Sequence, residues 1–286
     1  MNKEKIIEKI LLMIAFSAIF SLGLITLFIF QEGLPVFLKT GALNFITSPE
    51  WAPSQNKFGI FSMIMGTLWI TVGALFFGVP LSLAVSVFLA EFCPRKAVKI
   101  IKPAIELLAG IPSVVYGFIG VIILAPIIRQ YLGGPGLSVL AASIVLAVMI
   151  LPTVISISLD AIQAVPKTYK EGSLALGATR WQSVYMVVIP AAKSGIITSI
   201  ILGMGRAVGE TMAVIMVSGN AVRIPHSVLE PVRTLTSNIA LELGYATGLH
   251  RQALFGTGMV LFVIIMIINT FAYFTTKKRV RNESKS

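Results

Sequence analysis

Two ionisable residues stand inside an otherwise apolar run. In the stretch GMGRAVGETMAV (203–214), Arg206 and Glu210 are four residues apart. That spacing predicts one shared face of a helix. A charged side chain at mid-bilayer costs ~2.5–3.5 kcal/mol even on a lenient insertion scale. Two of them are therefore expected to face a pathway or a protein interior. The competing reading is an internal ion pair that only neutralises itself. Arg206 stays protonated at physiological pH and offers a planar fork to an oxyanion. Glu210 repels a fully deprotonated anion such as sulfate, but it accepts a hydrogen bond from a protonated phosphate oxygen. The pair thus predicts a preference for hydrogen phosphate, with Arg206 holding the charge and Glu210 reading the proton. Gly205 and Gly209 form a small-x-x-x-small pair on a neighbouring face, which predicts close approach of another helix, from this chain or from a second subunit.

Such a pair needs membrane helices to hold it, and the composition supplies them. The chain has 286 residues, 56% hydrophobic and 12% charged, with mean hydropathy +0.90. These values describe a polytopic membrane protein. The net charge of +11 does not point to nucleic acid, because the basic residues lie in short segments between apolar runs. Cys93 is the single cysteine, so an intrachain disulfide is excluded. His226 and His250 are too far apart in sequence to suggest a metal site.

Runs of ~20 apolar residues are long enough to cross a bilayer. They predict six spans: Ile10–Phe30, Phe58–Ala90, Leu107–Ile128, Leu137–Leu159, Ala191–Ser218 and Gln252–Thr276. The first is read as an uncleaved span and not as a signal peptide. Pro80 is the expected kink in the second. Gly110-Ile111-Pro112-Ser113 is read as broken backbone inside the third, as a packing kink or as pathway lining. Glu91–Lys102 reads as a short turn, with Glu106 pairing with Lys102 and with Glu91 and Asp160 solvated. Residues 31–57 and 219–251 are outward loops, and Trp51 is expected at the membrane interface. Of the 23 lysines and arginines, sixteen fall on the side of the two termini and six on the other. The positive-inside bias then places residues 1–9, the segment 165–190 and the basic tail 277–286 in the cytoplasm. No internal repeat is visible, so a two-fold architecture requires a second subunit.

The segment 165–190, VPKTYKEGSLALGATRWQSVYMVVIP, is polar, basic and helix-compatible. It is too long and too regular for a plain connection. A short helix of this kind can lie in a groove on a partner protein. Gly177 is expected to end it as a turn or C-cap. Pro190 leads into the fifth span, so one rigid rod, if unbroken, would join this segment to Arg206. The chain has no G-x-x-x-x-G-K-[ST], no H-E-x-x-H and no G-x-S-x-G. Neither ATP binding in a P-loop nor an intramembrane hydrolase is indicated. A solute passage worked by other chains fits better.

The segment resembles the cytoplasmic motif E-A-A-x-x-x-G, followed by I-x-L-P, of the membrane subunits of bacterial ABC importers. Glu171 and Gly177 keep the spacing, and Val187-Val188-Ile189-Pro190 follows in place. Gly172 and Ser173 stand where the motif has alanines. Further stretches are similar to the PstC-type permease of phosphate ABC importers. They are Trp51, Pro53, Phe58, Gly59 and Ile60; Gly66–Leu68; Ala109–Gly117; Ala175–Trp181; and Arg206–Ala213.

The resemblance implies an all-α, six-span permease of the MetI-like ABC importer fold, in the bacterial inner membrane, with no cofactor of its own. It also implies that 165–190 is a coupling helix that docks on an ATPase, through Glu171, Gly172, Ala175, Gly177 and Trp181. The implied partners are a homologous PstA-type permease, two ATP-binding subunits and an extracytoplasmic phosphate-binding protein, for which the outward loops are docking candidates. Rival readings are a permease for sulfate or molybdate, the sister PstA-type subunit, an ATP-independent anion transporter or channel, and a membrane enzyme.

Overall fold

The computed structural model describes residues 7–270 with their side chains, and only the backbone of residues 2–6 and 271–283. The side chains of Lys3, Lys5 and the basic tail 277–286 lie outside the described residues. The apolar runs form helices because backbone polar groups have no water to bond in a bilayer. Among the described residues, five helices are long and apolar enough to cross, and a bent helix pair makes a sixth when counted as one span.

The first, α1 (Asn2–Thr40), is longer than the sequence suggests. It continues through Pro35, so the polar connection begins only at Gly41, where φ is +80°. A short α2 (Ala42–Thr47) and a hairpin of β1 (Trp51–Ala52) and β2 (Lys57–Phe58) follow, with Trp51 opposite Phe58. Helix α3 (Phe61–Val87) runs through Pro80 into a π-turn at Phe88–Phe92.

The expected short turn at Glu91–Lys102 is mostly a helix, α4 (Arg95–Ala109). The break at Gly110–Pro112 is not inside a span. It separates α4 from a span made of α5 (Ser113–Ile119), a π-turn and α6 (Ala125–Tyr131). The Tyr116 hydroxyl donates to the Leu108 carbonyl at 2.8 Å and ties the break.

Helix α7 (Val139–Gln163) is the centre of the bundle. Its N-cap is Ser138, whose hydroxyl accepts from the Ala141 amide. Leu146, Ile150 and Val154 are fully buried in one cluster with Ala74 of α3. Small residues let the backbones meet there: a Cβ on Gly73 would lie 2.2 Å from Ser143 Oγ. Ser158 and Ser199 share a buried hydrogen bond of 2.7 Å, the kind of polar link that joins helices in lipid.

The segment 165–190 holds α8 (Lys167–Ala175), α9 (Arg180–Ser183), a π-turn at Val184–Val188 and α10 (Ile189–Ala191). Helix α11 (Lys193–Gly209) leaves it at 69°. The rod expected to run from Pro190 to Arg206 is therefore bent at Ala192. Beyond α11 come α12 (Met212–Val217), α13 (Leu235–Glu242) and α14 (Gly248–Glu283). Helices α1 and α14 pack together, with Phe28 edge-on to Phe255.

The hairpin, α2, α13 and the start of α14 build a cap around Phe45, Trp51, Phe58, Leu235 and Leu254. Trp51 is buried within this cluster.

Candidate functional site

Arg206 and Glu210 do not lie on one continuous helix. Arg206 is in the last turn of α11, where a cation complements the negative end of the helix dipole. Glu210 is the first residue past that turn and is extended, at φ −67° and ψ 131°. The sequence prediction of a shared helical face is corrected on this point. The break forms although the sequence has no proline there, because the backbone and side chain of Glu210 each find another partner. Its Oε1 accepts from the Ala213 amide at 3.2 Å, which satisfies a first-turn amide of α12. Its carbonyl oxygen accepts from the Thr236 hydroxyl of α13 at 2.9 Å. No hydrogen bond to Glu210 Oε2 occurs among the described residues.

Arg206 donates from Nη1 to Thr153 Oγ1 of α7 at 3.3 Å. Among the described residues Arg206 makes no ion pair, so the self-neutralised pair is not seen. The two side chains bracket a helix break and stay available to an outside charge. Among the described residues, a Cβ on Gly205 or on Gly209 would meet nothing within 4 Å. The close approach is at Gly203, where a Cβ would lie 2.7 Å from Val154 Cγ2.

Between α8 and α9, Gly177 has φ +88°, which only glycine adopts without strain. Its amide bonds the Leu174 carbonyl and the Ala178 amide bonds the Ser173 carbonyl, closing α8. Thr179 and Gln182 form a reciprocal capping box that starts α9. Ser173 Oγ donates to Ser183 Oγ at 2.5 Å and pins the two short helices together. Glu171, Gly172, Ala175 and Gly177 are all exposed. Leu176 is 91% exposed and Trp181 60% exposed, so an apolar face stands open on this segment.

The segment is anchored to the π-turn that ends α3 by contacts between residues far apart in the sequence. Lys170 Nζ pairs with Glu91 Oε2, and the Glu91 side chain is only 9% exposed. The Arg180 guanidinium donates to the Glu91 carbonyl and lies over the Phe92 ring at 5.2 Å. Phe92 in turn meets Trp181. Glu91 is thus an anchored group and not a solvated one. Lys102 pairs with Asp160 at 2.6 Å rather than with Glu106, which ties α4 to α7. Between the start of α4 and α8 lies a groove of about 700 Å³, lined by Arg95, Lys99, Lys167 and Lys170 among others.

In the cap, the buried Glu242 receives Trp51 Nε1 at 2.8 Å and Arg233 Nη1 at 2.6 Å, and it contacts His250 Nε2 at 2.8 Å. A buried carboxylate needs such partners. Glu50, also in the cap, pairs with Lys57 at 2.7 Å. The hydrogen bond and charge of Lys57 hold the Glu50 carboxyl below its ordinary range.

Relatives place this architecture. The chain is 42% identical over 264 residues to the probable ABC transporter permease protein YqgH of Bacillus subtilis, covering 90% of this chain and 85% of that protein. It is 40% identical to the phosphate transport system permease protein PstC of Mesorhizobium japonicum, covering 82% of this chain and 78% of that protein. In solved structures, the inward-facing MetNI methionine ABC transporter superposes with a TM-score of 0.59 at 22% identity. That match covers 74% of this chain and 92% of the MetNI chain, and it speaks for the fold alone. A bacterial ABC transporter for the acidic polysaccharide alginate superposes with a TM-score of 0.58 at 16% identity, covering 91% and 95% of the two chains. The sequence pattern of the binding-protein-dependent transport system inner membrane components matches residues 78–280. The chain is therefore a multi-pass membrane permease and belongs to the family of binding-protein-dependent transport system inner membrane components.

Proposed function

We propose that this chain is the PstC-type permease subunit of an ATP-driven importer of inorganic phosphate. The observation that carries the substrate is Arg206, held by a neutral Thr153 hydroxyl beside the break at Glu210. A broken helix is where transporters of other folds bind small ions, because backbone and side-chain groups are released there. A hydrogen phosphate would set its charge against Arg206 and donate a hydrogen bond to Glu210 Oε2. Relatives named phosphate permeases support the same substrate.

The remaining assignments follow from this reading. Residues 1–9 and 277–286 are cytoplasmic, the permease domain spans 10–276, and the membrane is the bacterial inner membrane. Glu171, Gly172, Ala175, Gly177 and Trp181 meet one of two ATP-binding subunits, which hydrolyse ATP in place of this chain. Gly205 and Gly209 present their open face toward a homologous PstA-type permease across the pathway. The cap receives an extracytoplasmic phosphate-binding protein. Co-expression and purification with these partners, followed by phosphate uptake into proteoliposomes, tests the reading. Uptake by the isolated chain, without ATP or an ATPase, would overturn it.

A further inference from the structure

We propose that Glu91 is the positioning residue through which the segment 165–190 moves α3, so that the docking segment drives the bundle through a side-chain latch as well as through its own backbone. The inference rests on the reading of that segment as an ATPase receiver.

The backbone route is poorly suited to carry a push alone. The chain turns by 69° at Ala192, between α10 and α11, and a π-turn precedes the bend at Val184–Val188. A sharp bend converts an axial displacement into rotation, and its size depends on what holds the corner. The latch supplies a second point of attachment. Lys170 from α8 and Arg180 from α9 converge on one residue, one through the carboxylate and the other through the main-chain carbonyl. Arg180 also covers Phe92, and Phe92 leans on Trp181. Both short helices are thus fixed to the C-terminal π-turn of α3, and the Ser173–Ser183 bond keeps them moving as one body. Helix α3 is packed along α7, which carries Thr153 and therefore holds Arg206. A displacement of the segment reaches the charged break through α3 and α7 without passing the bend.

The Glu91 side chain is 9% exposed and Lys170 29% exposed. A part-buried pair of this kind responds to loss of one partner, because the shielded Glu91 carboxylate is left unpaired. Residues that act as one unit also show non-additive losses.

The test uses the complete complex with Glu91→Gln, Lys170→Gln, the double variant and Lys170→Arg. Phosphate uptake and ATP hydrolysis are measured on the same preparations. Each single neutral variant is expected to retain the ATPase subunit and its hydrolysis while losing uptake about tenfold. The double variant should lose no more than the worse single, and Lys170→Arg should keep most of the uptake. Normal uptake in both singles, multiplied losses in the double variant, or loss of the ATPase subunit from the singles would overturn the proposal. Failure of the substrate reading shows separately, as a wild-type complex that moves no phosphate.

Discussion

The hydroxyl of Thr236 donates to the main-chain carbonyl of Glu210 at 2.9 Å, across 26 residues of sequence. That contact joins the cap to the break in the charged span. Helix α13 carries Thr236 at its start and Glu242 at its end, so the cap network and the break are two ends of one short element. Removing the hydroxyl leaves a shielded carbonyl without a partner, at a cost of ~1–3 kcal/mol. Thr236→Val is expected to lower phosphate uptake about tenfold in assembled complexes, while Thr236→Ser stays close to wild type. Equal uptake in all three proteins would show that the contact has no part in transport.

Arg206 and Glu210 are separable by substrate. Hydrogen bonds to charged groups contribute ~1.5–3 kcal/mol, which corresponds to roughly 10–100-fold in uptake for Arg206→Gln. Glu210→Gln removes the charge that repels a fully deprotonated anion. Sulfate is therefore expected to compete with phosphate in Glu210→Gln and not in the wild-type protein. Competition assays in reconstituted vesicles check this, and a variant still indifferent to sulfate would remove Glu210 from selectivity.

The cap predicts a stability effect. Trp51→Phe keeps most of the aromatic packing against Phe58 but removes the Nε1 donor to Glu242. Glu242 keeps Arg233 and His250 as partners. The expected loss is ~1–3 kcal/mol in reversible unfolding in detergent, with uptake per folded complex preserved. An unchanged unfolding midpoint would mean that the indole bond is not stabilising.

Gly177 predicts an assembly effect. A side chain at φ +88° costs roughly 1–2 kcal/mol, and the space around the position is open. Gly177→Ala should therefore distort the turn without a clash and weaken co-purification of the ATPase about tenfold. Undiminished co-purification would place the docking contact elsewhere.

The membrane helices were legible because charge-free runs of spanning length have few alternatives in a bilayer. The turn at Gly177 was legible because its flanking sequence ends one polar helix and starts another. The break at Glu210 was not, since RAVGETMA contains no proline and the deciding partner, Thr236, sits on a distant helix. Glu91 was equally hidden, because its partner Lys170 is 79 residues away. Helix α4 leaves a readable trace within the lysine-rich stretch. Val98, Ile101, Ile105 and Leu108 recur at helical spacing, and Ile105 packs beside Leu159. Pro35 misled in the opposite direction, as α1 runs through it to Thr40.

The most direct measurement is phosphate uptake into proteoliposomes that hold this chain with its permease, ATPase and binding-protein partners, with and without ATP. The account predicts uptake that requires ATP and the ATPase, and that falls sharply in Arg206→Gln at unchanged assembly. Uptake that proceeds without ATP, or that is untouched by Arg206→Gln, would contradict it.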